Sequence, residues 1–156
     1  MTTSEKVQAF IQGDVVLAEL YGLSNGDLYQ IAAQGKRFFE EGQEEKARKI
    51  FEGLTALDPW DYSFHTGLGA VYQKAGELDK ALLEYDRAVS LNQRDVAART
   101  NRAEVLVEQG DLSRAVADLT AVAALDPTGE QPHTRRAKAL AMALASAAQA
   151  QAQAAR

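Results

Sequence analysis

The chain has 156 residues, of which 46% are hydrophobic and 25% are charged, and its net charge at neutral pH is −5. This balance is typical of a folded, soluble protein, and the negative charge argues against nucleic acid as the main partner, because no surplus of lysine and arginine can displace counterions. The chain contains no cysteine, which excludes disulfide bonds and thiolate metal sites and is consistent with a reducing cytoplasm.

Residues 1–27 are predicted to form an N-terminal helix and a linker. Charged residues interrupt the apolar side chains of this segment, so it does not resemble a secretory signal peptide. The apolar residues suit a contact between two copies of the chain, and a homodimer through this helix is a hypothesis. The predicted dimer contacts are Val7, Phe10, Ile11, Val15, Leu17 and Leu20.

Residues 28–129 contain a sequence repeat with a period of 34 residues. Three stretches share glycine, alanine, a large side chain and leucine at this step: EEGQEEKARKIFEGLTALDP, KAGELDKALLEYDRAVSLNQ and EQGDLSRAVADLTAVAALDP. Each unit carries two helical patterns that are joined at the shared glycine, where the first helix is expected to end. The sequence therefore predicts an all-α protein with three helical hairpins, at 28–61, 62–95 and 96–129.

The stretch GLGAVYQKAG, residues 67–76, has glycines that could also belong to a phosphate-binding loop. Such a loop needs a strand before the glycines and a helix that begins after them. Here the glycines fall within the predicted first helix of the second unit. We predict that Gly69 lies where the two helices of the hairpin cross closely, whereas the repeat gives no reason for Gly67.

The candidates for catalysis and metal binding are few. His65 and His133 are the only histidines, and neither has a second histidine at the spacing of three or four residues that a helical metal site uses. Ser63 and His65 are two residues apart, which places them on different faces of a helix. We therefore predict no enzymatic activity, no metal site and no cofactor.

Residues 130–156 are predicted to form an alanine-rich C-terminal helix, because alanine has the highest helix propensity. Glutamine dilutes its apolar character, so neither this segment nor any other is expected to insert into a membrane.

The repeated positions resemble the tetratricopeptide repeat. Its small packing positions correspond to Gly35, Gly69 and Ala103 in the first helices. The resemblance implies that the hairpins form a right-handed superhelix, and stacked hairpins expose their first helices on a concave face that binds extended peptides. Tyr29 and Phe39 have an alternative role, which is to pack against the N-terminal helix. The predicted groove residues are Tyr29, Ala32, Lys36 and Phe39 in the first unit, Ser63, Thr66, Ala70 and Gln73 in the second, and Ala97, Thr100, Glu104 and Val107 in the third.

The order of the elements, together with the stretch LDPWDYSFHTGLGAVYQ, is similar to that of the class II chaperones of bacterial type III secretion. This resemblance implies a cytoplasmic chaperone that binds hydrophobic translocator proteins in its groove, as an extended segment, and keeps them soluble and competent for export. It also implies that the N-terminal helix mediates dimer contacts. The alternative is a general tetratricopeptide repeat adaptor that scaffolds a protein assembly.

Overall fold

The structure is a computed structural model that describes all 156 residues, and it contains nine α-helices and no strand. The prediction of an all-α fold is confirmed. No helix is long and apolar enough to cross a membrane. The helices are α1 Thr3–Gln12, α2 Leu17–Leu20, α3 Asn25–Glu40, α4 Glu44–Leu57, α5 Tyr62–Lys74, α6 Leu78–Leu91, α7 Val96–Glu108, α8 Leu112–Leu125 and α9 Pro132–Ala154.

The three predicted hairpins are the pairs α3 and α4, α5 and α6, and α7 and α8, whose helices pack against each other. The glycines that recur at the 34-residue step, Gly42, Gly76 and Gly110, follow the first helix of each pair and have φ values of 76°, 76° and 82°. This left-handed backbone strongly favours glycine and reverses the chain between the two helices. The first hairpin begins at Asn25, because Ser24 and Asp27 form a capping box ahead of α3.

The chain divides into two compact units, Met1–Leu91 and Asn92–Arg156. The core of the first unit lies between α3, α4 and α5, where Leu28, Leu54 and Phe64 are almost completely buried. Ala18 of α2 is buried in the same core, so the N-terminal segment is attached to the first unit.

The glycines of α5 accept aromatic rings from both neighbouring second helices. A Cβ atom on Gly69 would lie 2.6 Å from Cε1 of Tyr85 on α6, so the predicted close crossing is confirmed. A Cβ atom on Gly67 would overlap the ring of Phe51 on α4, and the opposite edge of that ring packs against Gly35 of α3. Gly67 is therefore a packing position between two hairpins, a role that the period alone did not predict.

The second unit contains α7, α8 and α9. Its core includes Val105, Leu106 and Val122, which are almost completely buried. Asp118 of α8 is also buried. Its carboxylate accepts one hydrogen bond from Arg99, at 2.9 Å, and two from Arg102, at 2.7 and 2.8 Å. The cation at position 102, where the second unit has Leu68, thus forms a bidentate ion pair with Asp118 within the hairpin.

Candidate functional site

Tyr29 is the predicted groove residue whose geometry the structure defines best. Its side chain is 52% exposed, and its ring centroid lies 5.7 Å from that of Phe64 on α5. Its hydroxyl group donates a hydrogen bond of 2.6 Å to Oδ2 of Asp61. The hydrogen bond to Asp61, with a smaller effect of burial, raises the pKa of Tyr29 to about 12. The ring is therefore fixed between α3 and the start of α5, with one side open to solvent.

Asp61 organises this end of the site, although it was not among the predicted groove residues. It is the N-cap of α5, and its Oδ1 atom accepts hydrogen bonds from the backbone N–H of Ser63 at 2.8 Å and from the Ser63 hydroxyl at 2.5 Å. One carboxylate thus caps a helix and positions both Tyr29 and Ser63. The signal was present in the sequence, because Asp27, Asp61 and Asp95 follow the 34-residue step.

Phe39 lies at the other end of α3, near the end of α5. The Nζ atom of Lys74 lies 4.6 Å from the centroid of the Phe39 ring and donates a hydrogen bond of 3.0 Å to the Phe39 carbonyl. This geometry combines a cation–π contact with a cap on the last turn of α3. The half-buried Phe39 ring therefore carries the exposed cation of Lys74 on one side, which a ligand can contact.

Small or half-buried residues lie between these two aromatic side chains. Ala32 and Ala70 are half-buried, and Thr66 uses its hydroxyl to donate to the Tyr62 carbonyl at 3.0 Å. Gln73 accepts a hydrogen bond of 2.7 Å from the Tyr85 hydroxyl and is thereby connected to α6. Lys36 is exposed, and its Nζ atom lies 3.8 Å from Oε1 of Glu40 in a surface ion pair.

In the second unit, α9 covers the middle of the predicted face of α7. Thr100 is fully buried and donates to the His133 carbonyl at 3.3 Å. Glu104 accepts from Arg136 at 3.0, 2.6 and 2.5 Å, and Asn101 accepts from the same guanidinium at 3.1 Å. These two predicted groove positions, Thr100 and Glu104, thus have partners on the C-terminal helix.

The other two predicted residues of α7, Ala97 and Val107, are half-buried. The cluster of basic residues at 135, 136 and 138, in a chain that is acidic overall, was the available signal that the tail binds a carboxylate.

His65 is buried in a polar network of the first unit. Its Nδ1 atom lies 2.7 Å from Oε2 of Glu84, and its Nε2 atom lies 2.9 Å from the Pro59 carbonyl. Both partners are acceptors, so both contacts are hydrogen bonds only when the imidazole carries a proton on each nitrogen. Burial lowers the pKa of His65, but the bonds to Glu84 and Pro59 outweigh it, and the net shift is upward. The network ties the turn before α5 to α6, and no group of three or more potential ligands in the chain could hold a metal ion.

The predicted dimer residues lie on α1, on α2 and in the segment between them. Val7, Phe10 and Ile11 are exposed on α1, and Ile11 is the most exposed of them at 71%. Leu17 and Leu20 are half-buried and line, with Val7, a cavity of about 300 Å³. Val15 is half-buried in the connection between the helices. An apolar stripe on α1 is therefore open in the single chain.

Comparison with known proteins places the repeats in a family. The family model of the tetratricopeptide repeat matches residues 32–95 and 71–130. Low calcium response locus protein H of Yersinia pestis is 33% identical over 79 residues, which are 51% of this chain and 47% of that protein. The chain thus matches about half of the length of this curated relative.

Solved structures match over a larger part of the chain. The type III secretion translocator chaperone SycD of Yersinia enterocolitica is 26% identical, with a TM-score of 0.73, over 83% of this chain and 98% of that chain. PcrH, a protein of Pseudomonas aeruginosa, was solved in complex with the chaperone binding region of PopD. That structure is 30% identical, with a TM-score of 0.70, over 80% of this chain and 96% of that chain.

Proposed function

We propose that this protein, which belongs to the class II translocator chaperones of the tetratricopeptide repeat family, is a cytoplasmic chaperone of a type III secretion system. It binds hydrophobic translocator proteins as extended segments and keeps them soluble and competent for export. The observation that carries the proposal is the similarity, over almost the whole of PcrH, to a protein that was solved with the chaperone binding region of PopD.

The face of α3 and α5 supports this function physically. Tyr29 and Phe39 supply two aromatic surfaces at its ends, and Ala32 and Ala70 leave room for a peptide backbone between them. Apolar surface that a client removes from water contributes about 25 cal/mol per Å² before the costs of association and ordering are subtracted, so anchored apolar side chains favour retention of a segment. Asp61 holds Tyr29 in place before binding, which lowers the entropic cost of association.

The client explains why this face is useful. A translocator carries segments that prefer a membrane to water, and exposed apolar patches of that kind cause aggregation. A protein with a net charge of −5 that covers such a segment keeps the complex dispersed by electrostatic repulsion. Binding of this type requires no chemical step.

Co-expression with a translocator tests the proposal. The client for this test is chosen by one criterion: its gene neighbours the gene of this chain and encodes a long protein with hydrophobic helices. We expect this chain to keep it soluble, and we expect Tyr29→Ala and Phe39→Glu to weaken its retention while helical content is maintained. Tyr21→Ala is the matched control, because Tyr21 is an exposed tyrosine outside the face. If both groove variants retained the client like the unchanged chain, the assignment of the face would be wrong.

The apolar stripe on α1 supports a second part of the proposal, a homodimer. Val7, Phe10 and Ile11 lie on one side of α1 and leave apolar surface exposed. Light scattering is expected to show a dimer that Ile11→Glu dissociates, whereas Met142→Glu, at an equally exposed position on α9, leaves it intact. A monomer at high concentration would exclude this interface.

A further inference from the structure

A second apolar surface lies in the second unit, between α8 and α9. It is a groove of about 610 Å³ whose lining includes Leu112, Val116 and Leu119 of α8 and Ala141, Leu144 and Ala148 of α9. Leu112 and Val116 are 49% and 51% exposed, and no charged residue occurs between 139 and 155. The groove is thus apolar on both sides and has no partner within the chain.

The position of α9 explains why the groove exists. The first helix α5 packs against both helices of the preceding hairpin, α3 and α4, and α9 packs in the same way against α7 and α8. However, α3, α5 and α7 end after 16, 13 and 13 residues, whereas α9 continues for 23 residues. No second helix follows it within residues 1–156. The α9 helix therefore occupies the place of a first helix without the helix that normally covers it.

In the first unit, the hairpins show which residues of α4, the second helix of one hairpin, lie near α6, the second helix of the next. Two periods before Val116 and Ala123, the equivalent positions on α4 are Arg48 and Thr55. Arg48 Nη1 lies 3.8 Å from Oε1 of Glu77, the residue before α6, and Thr55 lines one groove together with Leu83 of α6. Val116 and Ala123 in the α8–α9 groove are thus equivalent to residues that border the following hairpin, since Arg48 contacts the residue before α6 and Thr55 shares a groove with α6.

We propose that the α8–α9 groove binds an amphipathic helix of the client, in the place that the second helix of a fourth hairpin would take. The identity of the partner rests on the proposed chaperone function, since hydrophobic translocators supply apolar helices. Helix-in-groove recognition of this type depends on apolar side chains at helical spacing. This site is separate from the face of α3 and α5, which we propose for an extended segment.

The chain's own second helices define the chemistry of the occupant. Each has an alanine followed four residues later by a large side chain that packs towards a first helix: Ala47 and Phe51, Ala81 and Tyr85, and Ala115 and Leu119. The helix that the groove accepts should carry this small-and-large pattern, with no charge on the same face, because a buried unpaired charge is costly.

A second copy of the chain fits the groove less well, because its apolar α1 stripe is assigned to the dimer contact and its α9 has few large apolar side chains. The exposed side of α9 carries mainly alanine and glutamine, whose short or polar side chains leave most of a 610 Å³ groove empty. Unfilled apolar space forfeits the contacts that make packing favourable. The volume therefore favours an occupant with several large apolar side chains.

Recognition of such a helix can be measured with a synthetic peptide of residues 42–58, which includes α4 and is stapled on its polar face to hold it helical. We choose α4 because its buried side chains, Ala47, Phe51 and Leu54, include no charge, whereas the packing face of α6 also carries Glu84. The fluorescently labelled peptide is titrated with the full chain. We expect saturable binding, and we expect Val116→Glu to weaken it about tenfold or more, because the carboxylate would enter an apolar site. Met142→Glu is the matched control, since Met142 is 71% exposed on α9 and does not line the groove.

The occupant itself is identified by photo-crosslinking in the co-expressed complex with the neighbouring gene's product, using Val116→p-benzoylphenylalanine. A crosslink to an amphipathic helical segment of that product is expected. No peptide binding, or equal binding by Val116→Glu, would overturn the helix site, and a crosslink only to a second copy would overturn the client assignment. The co-expression test with α3 variants can fail independently of these measurements, so the two proposals are distinguishable.

Discussion

Gly67→Ala tests the packing between the first two hairpins most directly. Gly67 lies inside α5, and a Cβ atom at this position would overlap the aromatic ring of Phe51 on α4. That ring is 7% exposed, and a Cβ atom on Gly35 would lie 3.0 Å from its Cε2 atom. The ring is held on both sides, so it cannot move away from the added methyl group without shifting a helix.

Two opposing effects set the expected magnitude. Replacing glycine by alanine in a helix interior stabilises the helix by about 1 kcal/mol. Overpacking against a rigid neighbour costs about 1–3 kcal/mol, so Gly67→Ala should change the free energy of unfolding by between about 0 and −2 kcal/mol. Gly53 provides the matched control, because it lies within α4 and an added Cβ would have no neighbour within 4 Å. Gly53→Ala should therefore stabilise the protein by about 1 kcal/mol.

Thermal and urea unfolding, followed by far-ultraviolet circular dichroism, measure the difference between the two variants. We expect about 1–3 kcal/mol, or roughly 2–4 °C in Tm per kcal/mol for a chain of this size. In the Phe51→Leu background the penalty of Gly67→Ala should shrink, because leucine can change rotamer, and a double-mutant cycle quantifies this coupling. If Gly67→Ala stabilised the chain as much as Gly53→Ala does, the close contact with Phe51 would be refuted.

Two further predictions concern buried or partly buried charges. Arg136→Ala should increase hydrogen exchange in the first half of α9, because the bonds to Glu104 and Asn101 are lost, whereas Arg135→Ala at the exposed neighbouring position should not. Equal protection in both variants would show that the bonds of Arg136 do not hold α9 against α7. The pKa of His65 is raised in the folded chain, so its contribution to stability is fully present below the unfolded pKa of about 6.5 and is lost as pH rises through the folded value. His65→Gln should remove this part of the pH dependence of urea unfolding, and an unchanged profile would show that the pair with Glu84 does not titrate with folding.

The fold was predictable because several sets of residues recur at the same 34-residue step, and each such set of equivalent positions forms one column of the aligned repeats. Gly69 belongs to such a column, with Gly35 and Ala103 at the same step, and its role follows from the repeat. Gly67 does not, because the equivalent positions hold Ala33 and Asn101. Its requirement comes from one particular neighbour, the Phe51 ring, and a contact between two different columns leaves no periodic signal.

The candidate site was predictable only in part, for a similar reason. The repeat identifies which positions of a first helix face inward, but it does not specify what else reaches those positions. Asp61 fixes Tyr29 through a contact between two hairpins, and Arg136 binds Glu104 from a segment outside the repeats. In each interaction the two residues are 32 positions apart in the sequence. The repeated aspartates and the basic cluster indicate that Asp61 and Arg136 have a role, but they do not identify the partner residue.

The C-terminal helix α9 contributes to two features of the second unit. Thr100 is buried beside α9 and Glu104 is paired with Arg136 of α9, so these two central positions of α7 already have partners within the chain. By running past the point where other first helices turn, α9 also creates the apolar groove with α8. The same helix thus contacts two predicted positions of the peptide groove and lines the apolar α8–α9 groove. A client with an extended segment and an amphipathic helix would bind the first unit through the extended segment and the second unit through the helix. Because the two segments belong to one chain, binding of either raises the effective concentration of the other. Weakening either site alone should then reduce retention without abolishing it, which is the behaviour expected of a scaffold that must hold its client firmly and still release it intact.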